Sequence, residues 1–255
     1  MQAFVGVDLG WYGKPSGVAS LGWDGDHLRL KAIARLRGFD EITEWIQLQA
    51  GSRDAVIAVD APLIITIASG NRPAERELNK NFRCYDAGCY PANLGRPFAK
   101  HVLGFSAALR SVGFDHGSDI TARQKGRYQI EVYPHSAIIS LFDLPLIVKY
   151  KRGLRSKRAS ELERLRGLML SRLPVLDPPL LLPDLPDIPE FGALKPVEDQ
   201  LDAIVCGYCA AFWWMWGRSR NSVFGNAGEG YIVVPHRQSF VQEPRLPKLC
   251  DAACS

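Results

Sequence analysis

Phe4-Val5-Gly6-Val7-Asp8-Leu9-Gly10 is an apolar, β-prone run that ends in a carboxylate, with a glycine two residues to either side of the acid. A strand that buries Val5 and Val7 and then presents an acid is locally unfavourable, because a desolvated carboxylate needs a cationic or hydrogen-bonding partner. The pattern recurs. Ala55-Val56-Ile57-Ala58-Val59 shows no alternation, reads as a strand buried on both faces, and runs straight into Asp60. A helix between the two runs makes the strands parallel, and parallel neighbours present their carboxyl ends side by side, where α/β sheets bind ligands. A single Asp-x-Gly is most simply a turn cap with Gly10 at positive φ. Two acids at equivalent strand ends point to a shared cation.

The intervening chain supplies the frame. Residues 18–23 and 28–34 are strand-like around the turn Asp24-Gly25-Asp26, so the chain opens as a three-stranded antiparallel meander. Asp40 reads as an N-cap, with Ile42, Trp45, Ile46 and Gln49 on one helical face. Residues 64–97 are irregular and mixed in charge, as an inserted segment facing substrate would be, with a short helix over 73–79. A helix over 99–112 follows, then a strand over 127–133 that puts Glu131 on one face with Gln129 and Tyr133. Pro134-His135-Ser136 opens the next helix. Leu162, Leu165, Met169 and Leu173 recur at helical spacing and mark a helix over 160–173. Seven of the 17 prolines fall in 174–196, a stiff extended crossing. It leads to a last helix over 197–216, a short strand over 229–235 and a tail over 241–255, so that 1–240 form one domain.

That last helix is apolar except at its start, where Glu198, Asp199 and Asp202 stack at i,i+3 and i,i+4. The helix dipole favours acids in a first turn, which accounts for Glu198 and Asp199. Asp202 lies a turn further in, and like charges at this spacing repel unless a cation bridges them. Asp8, Asp60, Asp199 and Asp202 are therefore the candidate metal-ligating and catalytic residues, with Glu131 either a further ligand or an exposed strand residue. A set of carboxylates without His or Cys suits Mg²⁺ or Mn²⁺ rather than zinc. Such a set can hold two ions about 4 Å apart for in-line phosphodiester hydrolysis.

Charge distribution points to the same substrate. The formal charge of +4 is too small to argue for nucleic acid by itself, but residues 149–166 hold eight basic side chains against Glu161 and Glu163, leaving the rest of the chain net acidic. Lys149, Lys151, Arg152 and Arg155 in this cluster, with Lys14 in the glycine-rich loop after Asp8, are the candidate phosphate-binding residues. The loop is not a P-loop, because the Gly-Lys-Ser/Thr ending and its helix are missing. Absence of a leader-like start and of any apolar run of about 18 residues predicts a soluble, cytoplasmic protein. The six cysteines are expected as thiols there, and Cys206-x-x-Cys209, inside an apolar helix with no second pair, as core residues rather than a metal half-site.

Gly6-Val7-Asp8-Leu9-Gly10, the strand ending in Asp60-Ala61-Pro62-Leu63, and Asp199-Gln200-Leu201-Asp202-Ala203 on the last helix resemble the RNase H-like superfamily of ribonucleases H and resolvases. With Ile130-Glu131-Val132-Tyr133-Pro134-His135 and the closing Gly230-Tyr231-Ile232-Val233-Val234-Pro235, the chain is more closely similar to the domain-of-unknown-function 429 family, described as predicted RNase H-like nucleases. The resemblance spans roughly residues 2–235. It implies an α/β three-layer fold with a mixed five-stranded sheet, and a metal-dependent nuclease acting on RNA or DNA. Asp8, Asp60 and Asp202 would be core ligands, with Asp199 or Glu131 the fourth. The second acid of ribonuclease H, on the helix after the meander, has only Glu41 and Glu44 as counterparts here, and neither looks inward. Two alternatives stay open. One is an ATP phosphotransferase of the actin-like and sugar-kinase type, which needs a duplicated domain that 255 residues do not display. The other is an inactive nucleic-acid or protein-binding module on the same fold.

Overall fold

A computed structural model describes residues 2–238. The first apolar run forms β1 (Ala3–Asp8), central in the sheet and flanked by antiparallel β2 (Ser16–Trp23) and parallel β4 (Ala55–Val59). β3 (Leu28–Leu36) completes the meander against β2. β6 (Arg127–Glu131) lies parallel to β4. The sheet has seven strands where five were expected, because two-residue strands close its edges: β5 (Asp115–His116) beside β6 and β7 (Leu180–Leu181) beside β3. β7 belongs to the proline-rich crossing, which pairs briefly with the meander instead of remaining wholly extended.

Helices cover both faces. α1 (Phe39–Ala50) and α3 (Ala99–Ser111) pack their apolar sides on Val5, Val7, Ile57 and Val59. On the other face, α4 (Pro134–Phe142), α5 (Arg155–Arg172) and α6 (Lys195–Trp216) enclose a core with Phe4, Leu21, Val56 and Ala58. α2 (Pro73–Phe82) forms within the predicted insertion and packs on the hairpin of β8 (Asn221–Asn226) and β9 (Gly230–Pro235). Among the described residues no helix is long and apolar enough to cross a membrane.

α6 crosses β1 at backbone contact. A methyl group added at Gly6 would lie within 3.0 Å of both the Ala203 carbonyl and the Gly207 nitrogen, so Gly6 is there for close approach. Gly10 has φ −67°, an ordinary value, and is also required by crowding, against the backbone of Lys14 and Pro15. It is not the positive-φ turn residue that Asp-x-Gly suggests. Cys206 and Cys209 are free, buried core thiols and Cys89 is also free, as expected; Cys84 is disulfide-bonded, contrary to that expectation.

Candidate active site

The strand register decides which acids meet. Val7 pairs with Val59 and Val59 with Glu131, so Asp8 and Asp60 are one step further along their strands, and the Asp60 amide donates to the Val7 carbonyl at 2.8 Å. Side chains alternate along strands, so Asp8 and Asp60 point to the α6 face and Glu131 to the face of α1 and α3. α6 crosses the first pair and brings Asp202, completely buried, against them. The three acids gathered from distant sequence are therefore Asp8, Asp60 and Asp202.

Their surroundings differ. Tyr150 Oη donates to Asp202 Oδ1 at 2.6 Å, and Lys151 Nζ lies 2.8 Å from Oδ2. That second oxygen accepts no aligned hydrogen bond, so the ammonium holds it by charge. Among the described residues, the carboxylates of Asp8 and Asp60 have neither a hydrogen bond nor an ion pair. Both retain partial solvent access while densely surrounded by protein. Burial pushes Asp8 well above the usual carboxylate range; Lys151 opposes this, and Asp202 and Asp60 reinforce it. Asp60 is raised to about 6, again by burial first, with Asp202 adding and Lys151 and Lys195 opposing. Burial alone would depress Lys151, but Asp202, then Tyr150, Asp8 and Asp60 outweigh it and hold the ammonium charged.

The other acids on α6 are neutralised by the protein itself. Asp199 receives Arg35 Nε at 2.9 Å and Lys195 Nζ at 2.6 Å, and Glu198 receives Lys195 at 2.8 Å and Arg158 at 3.1 Å. The helix begins two residues earlier than its pattern predicts, and this puts Lys195 at i−3 and i−4 to these acids. With every group ionised, five acids (Asp8, Asp60, Glu198, Asp199, Asp202) face four cations (Arg35, Lys151, Arg158, Lys195), so the surplus charge falls on the unpaired Asp8 and Asp60.

Glu131 does not join this group. Its oxygens accept from Arg72 Nη1 at 3.0 Å, Arg72 Nη2 at 2.6 Å and the Leu63 amide at 3.0 Å. Arg72 also donates to Glu75 and to the Ile64 carbonyl. The expected alternative of a metal-facing Glu131 is thus replaced by a buried strut that ties the segment after Asp60 to the end of β6. Glu41 and Glu44 are exposed, as expected.

The basic cluster is largely consumed internally. α5 starts at Arg155, five residues before the predicted boundary, so the cluster forms its first turns as well as the loop ahead of it. Lys149 pairs with Asp86 at 2.8 Å, Arg152 donates to Tyr90 Oη at 2.8 Å, and Arg155 braces the Pro189 and Gly192 carbonyls. Lys14 is exposed, and its ammonium has no partner among the described residues. Only Lys151 of the predicted phosphate binders reaches the acids.

Sequence reasoning missed His135. Its Nδ1 is 3.2 Å from Tyr133 Oη, whose own proton goes to the Gly88 carbonyl at 3.1 Å. Satisfying all three groups places the imidazole proton on Nδ1 and leaves Nε2, buried and without a partner, as an acceptor. Burial, with Lys151 next, lowers His135 to about 4, so the ring is neutral at pH 7. A depressed histidine contributes stability that is complete above its unfolded value of about 6.5 and is lost as pH falls toward 4. Unfolding titrations at several pH values should show His135→Gln flattening this acid limb by up to about 1.4 kcal/mol per pH unit. An unchanged slope would remove His135 from the account.

The fold and site define an α/β protein with a carboxylate cluster at the carboxyl ends of two adjacent parallel strands. A family model described as "Protein of unknown function (DUF429)" matches residues 6–227, and the chain belongs to that family. No curated protein and no solved structure matches.

Proposed function

We propose that this protein is a metal-dependent nuclease that hydrolyses phosphodiester bonds of RNA or DNA at Asp8, Asp60 and Asp202. One observation carries the reading: two carboxylates without protein partners stand side by side at strand ends, beside a third fixed on a buried helix. Retaining such like charges is unfavourable unless a ligand repays it. The antiparallel meander with two added parallel strands, and helices on both faces, supports the RNase H-like assignment that the sequence resemblance implies.

The chemistry of the donor set fits Mg²⁺ or Mn²⁺, being all oxygen and containing two unpaired, partly buried carboxylates. Among the described residues, however, no three His, Cys, Asp or Glu side chains are placed to hold an ion. On this reading Asp8, Asp60 and Asp202 would hold it after a shift of their side chains toward one another. When bound, the ion supplies charge stabilisation to the phosphoryl oxygens during hydrolysis. The chain's own groups orient and bind: Tyr150 fixes the Asp202 carboxylate, Arg35 and Lys195 keep Asp199 from competing, and exposed Lys14 offers charge to an incoming phosphate. Purified protein should cut RNA or DNA oligonucleotides with Mg²⁺ or Mn²⁺ and stop when EDTA is added. Failure on single- and double-stranded substrates of both kinds would sink the reading.

The Lys151–Asp202 pair favours one second reading, a nucleic-acid-binding module that kept the fold and lost the chemistry. Under it, Mn²⁺ leaves the melting temperature unmoved and Asp60→Asn is neutral for binding.

A further inference from the structure

We propose that Lys151 is a displaceable resident cation: its ammonium holds the carboxylate site in the metal-free protein, and a divalent ion must eject it to bind. The inference rests on the metal reading above and adds how the site is regulated. Three features of the geometry support it.

The first is position. Lys151 Nζ sits 2.8 Å from Asp202 Oδ2, and it is the foremost cation acting on both Asp8 and Asp60. This ammonium thus pairs with one carboxylate and, with Lys195 second, provides the main opposing charge for two others that have no bond to it. A divalent ion brings twice the charge, and Coulomb attraction scales with that product in a site of low effective dielectric. The second is the quality of the contact. Asp202 Oδ1 has a short, directed bond from Tyr150, whereas Oδ2 has only the ammonium, with no aligned hydrogen bond. Removing Lys151 therefore leaves Asp202 oriented.

The third is an exit route. Asp202 lies on the long helix α6 and is fully buried, but the Lys151 side chain is 28% exposed. Lys151 belongs to the irregular stretch between α4 and α5, followed by exposed Arg152, Gly153 and Leu154. A lysine stem has four rotatable methylene links, so its ammonium can swing into solvent without moving the helix that carries Asp202. Ejection exchanges one cation for another and leaves no buried acid uncompensated.

Two measurements test this, both using Mn²⁺ alone as probe. Calorimetric titration of wild type and Lys151→Met should show at least tenfold tighter Mn²⁺ binding by the variant. Its metal-free melting temperature should be lower than that of wild type, and Mn²⁺ should raise it further. Equal or weaker binding by Lys151→Met overturns the inference while leaving the metal reading intact. No Mn²⁺ binding by either folded protein overturns both. Should the variant not fold, wild type suffices: acetic anhydride should label Lys151 at least fivefold faster with Mn²⁺ than without, read by peptide mass spectrometry. An unchanged rate, with Mn²⁺ bound, overturns the inference.

Discussion

Asp8→Asn should reduce nuclease activity by at least about a thousandfold while making the metal-free protein more stable than wild type. These opposite signs follow from one cause. In the resting molecule the Asp8 carboxylate has no hydrogen bond or ion pair, and burial and the neighbouring acids raise its pKa. Replacing it with a neutral isostere relieves repulsion against Asp60 and Asp202, and a shift of one pKa unit corresponds to about 1.4 kcal/mol. The same replacement removes a charged oxygen from the set proposed to hold the ion, and transition-state charge stabilisation of this kind is usually the largest single contribution to catalysis. Rate measurements on a labelled oligonucleotide, with metal-free thermal unfolding of both proteins, check the two halves separately. A variant that cuts like wild type refutes the assignment of Asp8 as a ligand. One that loses activity by losing its fold would show that the acid is structural.

Gly6→Ala should be far more damaging to stability than one methyl group suggests, by more than about 4 kcal/mol, and should yield mostly insoluble protein. The new Cβ would overlap the Ala203 carbonyl and the Gly207 backbone nitrogen. Neither is the far end of a flexible side chain. Relief requires α6 to move off β1 as a unit, and α6 carries the apolar surface of Leu201, Ile204, Tyr208, Phe212 and Trp213 in the core. Lifting it also withdraws Asp202 from Asp8. If Gly6→Ala is soluble, circular dichroism during urea unfolding should show a large loss of midpoint. A wild-type midpoint would contradict the close packing of this helix on the central strand.

Much of this acidic cluster is legible in the sequence, because it is built from local patterns that physics reads directly. Two unbroken β runs ending in acids gave adjacent parallel strand ends, and an apolar helix with acids at its start had to turn those acids inward. The meander and the parallel return followed from turn residues and hydrophobic pattern. What escaped were partnerships between distant segments. Nothing in the spacing of Tyr150 and Lys151 says that they meet Asp202, and nothing near Arg72 says that it binds Glu131. Lys195 is an exception: starting α6 two residues earlier would have set it on the faces of Glu198 and Asp199. The basic cluster misled for a related reason, since net charge along a sequence counts residues without showing which are already paired by acids and carbonyls elsewhere.

The register of β4 and β6 carries a further consequence, which is one of parity. Three parallel strands finish in acids, but Glu131 stands one position short of Asp8 and Asp60, and that single step sorts the three into different trades. The even pair, 8 and 60, opens onto the helix that brings a third carboxylate. The odd one, 131, becomes an anchor for arginine. A one-residue deletion in β6 that slid the strand by one register would exchange these assignments, turning Glu131 toward the reactive side and stranding Arg72 without its anion. Strand length is thus as much a determinant of the chemistry here as the identity of the acids.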